Sequence, residues 1–243
     1  MTLHGRRALV TGGAGGIGAA TARALAGRGA EVVVADVNRA DGRRVADEIG
    51  GTFVELDVAD PEAWASIPPV RLAHLNAGTM TRLVPCTLAD FTVENWRRVR
   101  DVNIEGVMNG LFSVVPGMRS AGGGSIVVMG SLAGLVGFGD DALYAAAKAF
   151  LMNLARSLAA PLGEAGIRIN AVSPGEVATG MLPPNRAELL AGKGYHPLSA
   201  GTVAEAVVET LTDGGSGNVY TVVQGRGREQ YAFGGVPRPE RTG

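Results

Sequence analysis

The sequence predicts an α/β fold, a single domain built on one doubly wound parallel sheet of about seven strands with helices on both faces. Three observations predict it. Short β-branched and apolar runs alternate with helical segments from one end of the chain to the other. The first run stops in a glycine cluster, Gly-Gly-Ala-Gly-Gly-Ile-Gly over residues 12–18, from which a helix opens directly. The 243 residues are 46% apolar, with no internal repeat and no interdomain linker, a length that suits one large core.

Residues 7–11 (RALVT) read as a buried strand, ended by the glycines. From Ile17 to Ala26 the chain is rich in Ala and Leu with a polar residue per turn, the pattern of a helix. A second strand, 31–36 (EVVVAD), ends in Asp36, and a helix over 40–49 sets Val45, Ala46 and Ile49 on one side. The third strand, 52–56, closes on Asp57-Val58. Asp60-Pro61 then opens a helix that Pro68-Pro69 cuts short. Residues 72–75 form the fourth strand and lead into Asn76-Ala77-Gly78. A long helix over 93–115 carries Trp96, Val99, Val107 and Leu111 at helical spacing, with Asn103 interrupting the stripe. Such a buried amide needs a partner, either a neighbouring backbone or an anchored water. The fifth strand, 125–129, places Ser131 just past its carboxyl end, where ligands of open parallel sheets bind. A helix over 141–160 follows, then a sixth strand, 168–172, stopped by Pro174-Gly175. Thr202 and Glu205 have capping-box spacing for a helix over 202–211. Residues 219–224 are the last strand, and 226–243 read as an irregular extension, the tail from Pro237 being polar and Pro-rich.

Two stretches carry chemistry. The glycine turn presents backbone N–H groups and the positive end of a helix dipole, the arrangement that binds a pyrophosphate in Rossmann-type domains. Asp36, eighteen residues beyond Gly18, is placed to accept hydrogen bonds from adenosine ribose hydroxyls and to repel a 2′-phosphate, so NAD is expected over NADP. Arg39, three residues on, reads as a solvated residue at a helix start. In the second stretch, Tyr144 and Lys148 are four residues apart on one helix face. Moving a phenol from a pKa of about 10 to about 7 takes roughly 4 kcal/mol. A cation about 4 Å away, at an effective dielectric near 20, supplies roughly that amount. Lys148 is therefore expected to make Tyr144 a proton donor and acceptor at neutral pH.

Other classes of function are disfavoured. A net charge of −1 with no basic run leaves no electrostatic footprint for nucleic acid or an anionic membrane. Residues 120–139 are uncharged, but half are Gly or Ser, which reads as strand, turn and loop instead of a membrane span. His4, His74 and His196 are too scattered for a metal motif. Cys86 is the single cysteine, and the start MTLHGRR lacks the apolar stretch of a signal peptide, so a cytoplasmic location is expected.

Together, Thr11-Gly12-x-x-x-Gly16-Ile17-Gly18, Asp57-Val58, Asn76-Ala77-Gly78, Asn103, Ser131, Tyr144-x-x-x-Lys148 and Pro174-Gly175-x-Val177-x-Thr179 resemble the short-chain dehydrogenase/reductase family over roughly residues 5–225. The resemblance implies that Tyr144 is the general acid/base as hydride moves to or from a nicotinamide, and that Ser131 orients the substrate oxygen. Lys148 would lower the phenol pKa and bind the nicotinamide ribose, and Asn103 would hold a water linking the lysine to solvent. Asp36 and Val37 would meet the adenosine ribose, Asp57 and Val58 the adenine. Asn76, Ala77 and Gly78 would line the cofactor, and Pro174, Gly175, Val177 and Thr179 would reach its carboxamide end. It also implies a homodimer or homotetramer built through the helices that carry Asn103 and Tyr144.

The substrate is expected to be an apolar or alicyclic secondary alcohol or its ketone, because the loops around Tyr144 offer Met80, Leu83, Leu135, Val136, Phe138, Met181 and Leu182. Glu176, Tyr195 and His196 are candidates for polar contacts. Against the family pattern, the connection over 58–71 is short, the lid over 180–198 is compact, and Gln224-Gly225-Arg226-Gly227 replaces the usual ending. Two rivals stand beside an alcohol dehydrogenase: a nucleotide-sensing module without turnover, and the sugar-nucleotide branch that shares Tyr-x-x-x-Lys.

Overall fold

The structure, a computed structural model, describes residues 3–82 and 85–235. Its strands are β1 Arg7–Thr11, β2 Glu31–Asp36, β3 Thr52–Glu55, β4 Leu72–Leu75, β5 Gly124–Met129, β6 Ile167–Pro174, β7 Val219–Val223 and β8 Gly227–Gln230. They form one sheet in the order β3-β2-β1-β4-β5-β6-β7-β8. All neighbours are parallel except β7 and β8. The eighth strand corrects the expectation of about seven and of an irregular segment from residue 226. Gly225 and Gly227, both at positive φ, let the chain reverse after β7, and the polar GREQ run pairs back along the open sheet edge. The tail from Pro237 lies outside the described residues.

The helices are α1 Gly16–Ala26, α2 Arg39–Ile49, α3 Val93–Arg100, α4 Gly106–Ser120, α5 Ala142–Gly163, α6 Arg186–Ala191 and α7 Ala200–Thr212. Two layers of core result. Ala19, Ala22 and Leu25 of α1, Val45 of α2 and Val203, Val207 and Leu211 of α7 pack one sheet face. Val107, Leu111 and Val114 of α4 and Leu151, Met152 and Ala155 of α5 pack the other. Between Pro61 and Pro69 only one 3-10 turn forms, Ala63–Ser66, as the proline spacing anticipates. The helix expected at 202 begins earlier. Ser199 is extended and its hydroxyl accepts from the Thr202 amide, so Ser199 is the cap and Thr202 lies inside the first turn.

The stretch expected as one helix over 93–115 contains a π turn, Asp101–Glu105, between α3 and α4, and the Gly106 amide reaches back five residues to the Asp101 carbonyl. This extra residue re-aims Asn103, which is fully buried. The sheet order reverses between β1 and β4, so the chain leaves their carboxyl ends toward opposite faces of the sheet and opens a crevice above them, the switch point where such folds bind ligands.

His74 of β4 is wholly buried and neither ring nitrogen has a hydrogen-bond partner among the described residues. Burial, with a smaller push from the Lys148 ammonium, lowers its pKa from 6.5 to about 3. Because the folded value lies below the unfolded one, this residue adds no pH dependence above 6.5. Between 6.5 and about 3 only the unfolded chain takes up the proton, so stability falls as pH drops, by about 1.4 kcal/mol per unit. In His74→Leu this contribution disappears. Denaturant titrations of both proteins across that range should show the gap widening in favour of the variant as pH falls; parallel curves would show that His74 is not held neutral.

Candidate active site

The glycine turn is built by close approach. Gly12 takes φ of +64°, and a Cβ there would meet Asn76 Nδ2 at 2.9 Å. A Cβ on Gly18 would overlap the Gly12 carbonyl. A Cβ on Gly15 meets nothing within 4 Å, so the turn is open to the crevice at that residue. One on Gly16 would stand 3.2 Å from the Thr179 methyl, which therefore closes the opposite side. Thr11 Oγ1 accepts from the Asn76 and Ala77 amides at 2.9 and 3.1 Å, and Asn76 Nδ2 donates to the Thr11 carbonyl at 2.9 Å. These bonds hold the ends of β1 and β4 at a fixed separation. Asp36 turns into the cluster, accepting from the Ala14 amide at 3.0 Å and the Asn38 amide at 2.9 Å. Arg39 turns away and pairs with Glu55.

A cavity of about 690 Å³ runs from this turn along the carboxyl edge of the sheet. Of the residues expected from the sequence to serve catalysis or cofactor binding, Gly12, Gly16, Ile17, Asp36, Asn76, Ala77, Gly78, Ser131, Tyr144, Lys148, Pro174, Gly175, Val177 and Thr179 line it. Five do not. Gly18 is buried against Gly12, and Val37 is largely solvent-exposed beside Asp36. The Asp57 carboxylate caps the Ala59 amide, while buried Val58 gives its carbonyl to Trp64 and Asn109. Asn103 exchanges two hydrogen bonds of 2.7 Å with the Thr79 backbone, donating to its carbonyl and accepting from its amide. Its side chain thus makes the link to a neighbouring backbone. It stands behind Gly78, where a Cβ would lie 3.1 Å from Asn103 Oδ1 and 3.4 Å from Lys148 Nζ.

The end of the cavity near β5 brings Ser131, Tyr144 and Lys148 together. Asp141 caps α5 by accepting from the Tyr144 amide at 3.0 Å. The same buried carboxylate accepts from the Thr81 amide and hydroxyl at 2.7 and 2.8 Å, fastening the loop after β4 to the helix start. Lys148 is buried and donates from Nζ to the Met129 carbonyl at 2.8 Å. Burial lowers its pKa to about 8. The Tyr144 ring centroid is 5.5 Å from Nζ. Burial pushes the phenol above its ordinary value, the Ser131 hydroxyl pulls it back, and the Asp141 carboxylate pushes it up again. The expected lowering of Tyr144 by Lys148 is not the balance in this structure. The ammonium is directed at Met129, and a low-dielectric site disfavours charge on both groups.

The apolar wall comprises Met80, Val136, Phe138, Met181 and Leu182, as expected, joined by Leu132, Pro85 and Leu189. Leu135 instead packs into the core against the α4–α5 face, and Leu83 lies outside the described residues. Glu176 lines the cavity, whereas Tyr195 and His196 do not. Arg186 and Asp140 also line it and carried no signal in the sequence. No group of three metal-binding side chains occurs among the described residues, and no helix among them is long and apolar enough to cross a membrane.

The family model for short chain dehydrogenases matches residues 6–190. The chain is 36% identical to the trans-4-hydroxycyclohexanecarboxylate dehydrogenase of Sinomonas cyclohexanicum, over 84% of this chain and 83% of that one. It is 35% identical to the cyclohexanol dehydrogenase of Acinetobacter sp. (strain SE19), over 88% and 92%. Its structure resembles that of a 3-oxoacyl-[acyl-carrier protein] reductase from Brucella melitensis solved with bound NAD, with a TM-score of 0.84 and 31% identity over 91% and 90%.

Proposed function

The chain belongs to the short-chain dehydrogenase family and is an oxidoreductase, and from that premise we propose that it interconverts a neutral alicyclic secondary alcohol and its ketone with NAD, a reading supported by the apolar lining of the cavity and the likeness to a cyclohexanol dehydrogenase. The observation that carries this reading is the convergence of Ser131, Tyr144 and Lys148 at one end of a cavity whose other end is the glycine turn and Asp36. The residues present fit NAD. The open side of Gly15, the Thr179 methyl over Gly16 and the carboxylate at the end of β2 form a cradle for a pyrophosphate and a ribose diol. When bound, NAD supplies the hydride acceptor.

The chain's own residues handle the proton and the orientation. Ser131 Oγ donates a hydrogen bond to the substrate oxygen and orients it toward the Tyr144 hydroxyl. Tyr144 takes the hydroxyl proton in oxidation and returns it in reduction. Burial keeps the phenol protonated at neutral pH, the form that donates to a ketone oxygen, so oxidation gains as pH rises. Lys148, fixed by Met129, holds a positive charge beside the phenol and favours its ionised form when the alcohol gives up its proton. The apolar wall excludes water and packs the ring of the substrate.

Turnover of cyclohexanol with NAD tests the function; NAD binding without turnover of any alcohol or ketone would favour a nucleotide sensor. Cofactor choice is a separate expectation. Arg39 is engaged with Glu55, so the Asp36 carboxylate is the charge that meets the adenosine ribose. Asp36→Ala should shift the kcat/KM ratio toward NADP by about tenfold or more, since it removes a like-charge clash with the 2′-phosphate. An unchanged ratio in steady-state kinetics would mean that the carboxylate does not face the ribose.

A further inference from the structure

The cavity carries a charge cluster that the hydride-transfer chemistry does not use. Arg186 opens the short lid helix α6, and its guanidinium grips Glu176 through Nε at 2.8 and 2.9 Å and through a terminal nitrogen at 2.6 Å. Its other terminal nitrogen lies 3.6 Å from Asp140 Oδ2. The three residues come from three walls: the lid, the turn just beyond β6 and the loop leading into α5. Glu176 also anchors the base of the lid, its carbonyl accepting from the Leu198 amide at 2.8 Å. Two carboxylates surround one guanidinium, so the cluster has a net charge of −1, and the cation is already held by a bidentate partner. Around it the cavity is apolar.

We propose that the Arg186–Glu176–Asp140 cluster is a specificity gate that rejects a substrate bearing a carboxylate and admits its neutral counterpart. A carboxylate entering this wall meets the charges of Glu176 and Asp140, and the Nε and Nη2 edge of Arg186 that would grip it is already taken by Glu176. Discrimination of this kind comes from a built-in repulsion, not from a better contact to the accepted ligand. This inference rests on the neutral alicyclic substrate proposed above and names the residues that select it.

The test is an equilibrium titration of the protein in saturating NAD with cyclohexanecarboxylate, run beside turnover of cyclohexanol. Glu176→Gln releases Arg186 and removes one negative charge, so the variant should bind the carboxylate about tenfold or more tightly than the wild type. Asp140→Asn, at the more exposed and more distant member, should move binding in the same direction by a smaller factor. Both gains should shrink as salt is raised, which a purely structural role of these residues would not produce. Wild-type binding of cyclohexanecarboxylate as tight as that of Glu176→Gln, or a gain that ignores salt, overturns the gate. Absence of cyclohexanol turnover would overturn the functional reading instead, and the titration would still judge the gate.

Discussion

Tyr144→Phe should lower kcat by about 1,000-fold while leaving NAD binding near its wild-type value, because the substitution removes one hydroxyl and keeps the ring. The ring is half-buried beside Lys148, whose own bond to the Met129 carbonyl does not involve the phenol, so the wall of the cavity stays in place. No neighbouring group takes over the proton. Ser131 Oγ already accepts from the Ala133 amide at 3.2 Å and is far too weak an acid or base. Lys148 is directed at Met129. Steady-state kinetics with a calorimetric NAD titration separates the two effects. A variant that retained turnover within about tenfold of the wild type would remove Tyr144 from the proton path.

Gly18→Ala should be the most damaging glycine-to-alanine change among the described residues, since its Cβ makes the shortest contact of any of them. Its Cβ would overlap the Gly12 carbonyl and stand 2.8 Å from Asn76 Nδ2, so the turn, the end of β4 and the start of α1 cannot all keep their places. The expected cost is about 3 kcal/mol of stability together with loss of NAD binding. Gly15→Ala provides the contrast. Gly15 is extended, with φ of −158°, and an added Cβ meets no protein atom within 4 Å. Stability should change by less than about 0.5 kcal/mol while NAD affinity still falls, because the methyl occupies the approach of the pyrophosphate. Thermal unfolding with and without NAD measures both; equal losses of stability in the two variants would contradict the packing described for the turn.

The parts of the site legible in the sequence are those written within a few residues of one another. The glycine cluster and Tyr144 with Lys148 depend on local geometry, a turn in one case and a helix face in the other, and both lie where the spacing puts them. Ser131 was legible because a strand end has a defined place in an open sheet. Asn103 was visible as a polar interruption of an apolar stripe, but its partner was not. The Thr79 backbone is distant in sequence, and the π turn that aims the amide at it breaks the helical period from which the stripe was read. Asp141 with Thr81, and Arg186 with Glu176 and Asp140, are likewise pairings between loops, and ordinary charged residues in loops carry no spacing signal. Asp57 and Val58 matched a pattern while their side chain and carbonyl serve the local chain, with Val58 supporting Trp64. The final strand escaped because GREQ has no apolar alternation. It is a strand through pairing with β7 and not through its own composition.

The reaction proposed at the Ser131, Tyr144 and Lys148 end of the cavity is hydride transfer between a secondary alcohol and NAD. Cyclohexanol deuterated at its carbinol carbon, incubated with the protein and NAD, tests it directly when the recovered NADH is analysed by mass and NMR. Deuterium should appear at the nicotinamide C4 position, on one face only, with the wild type, and should be absent with Tyr144→Phe over the same time. Unlabelled NADH, or NAD bound with no transfer from any alcohol offered, would contradict it.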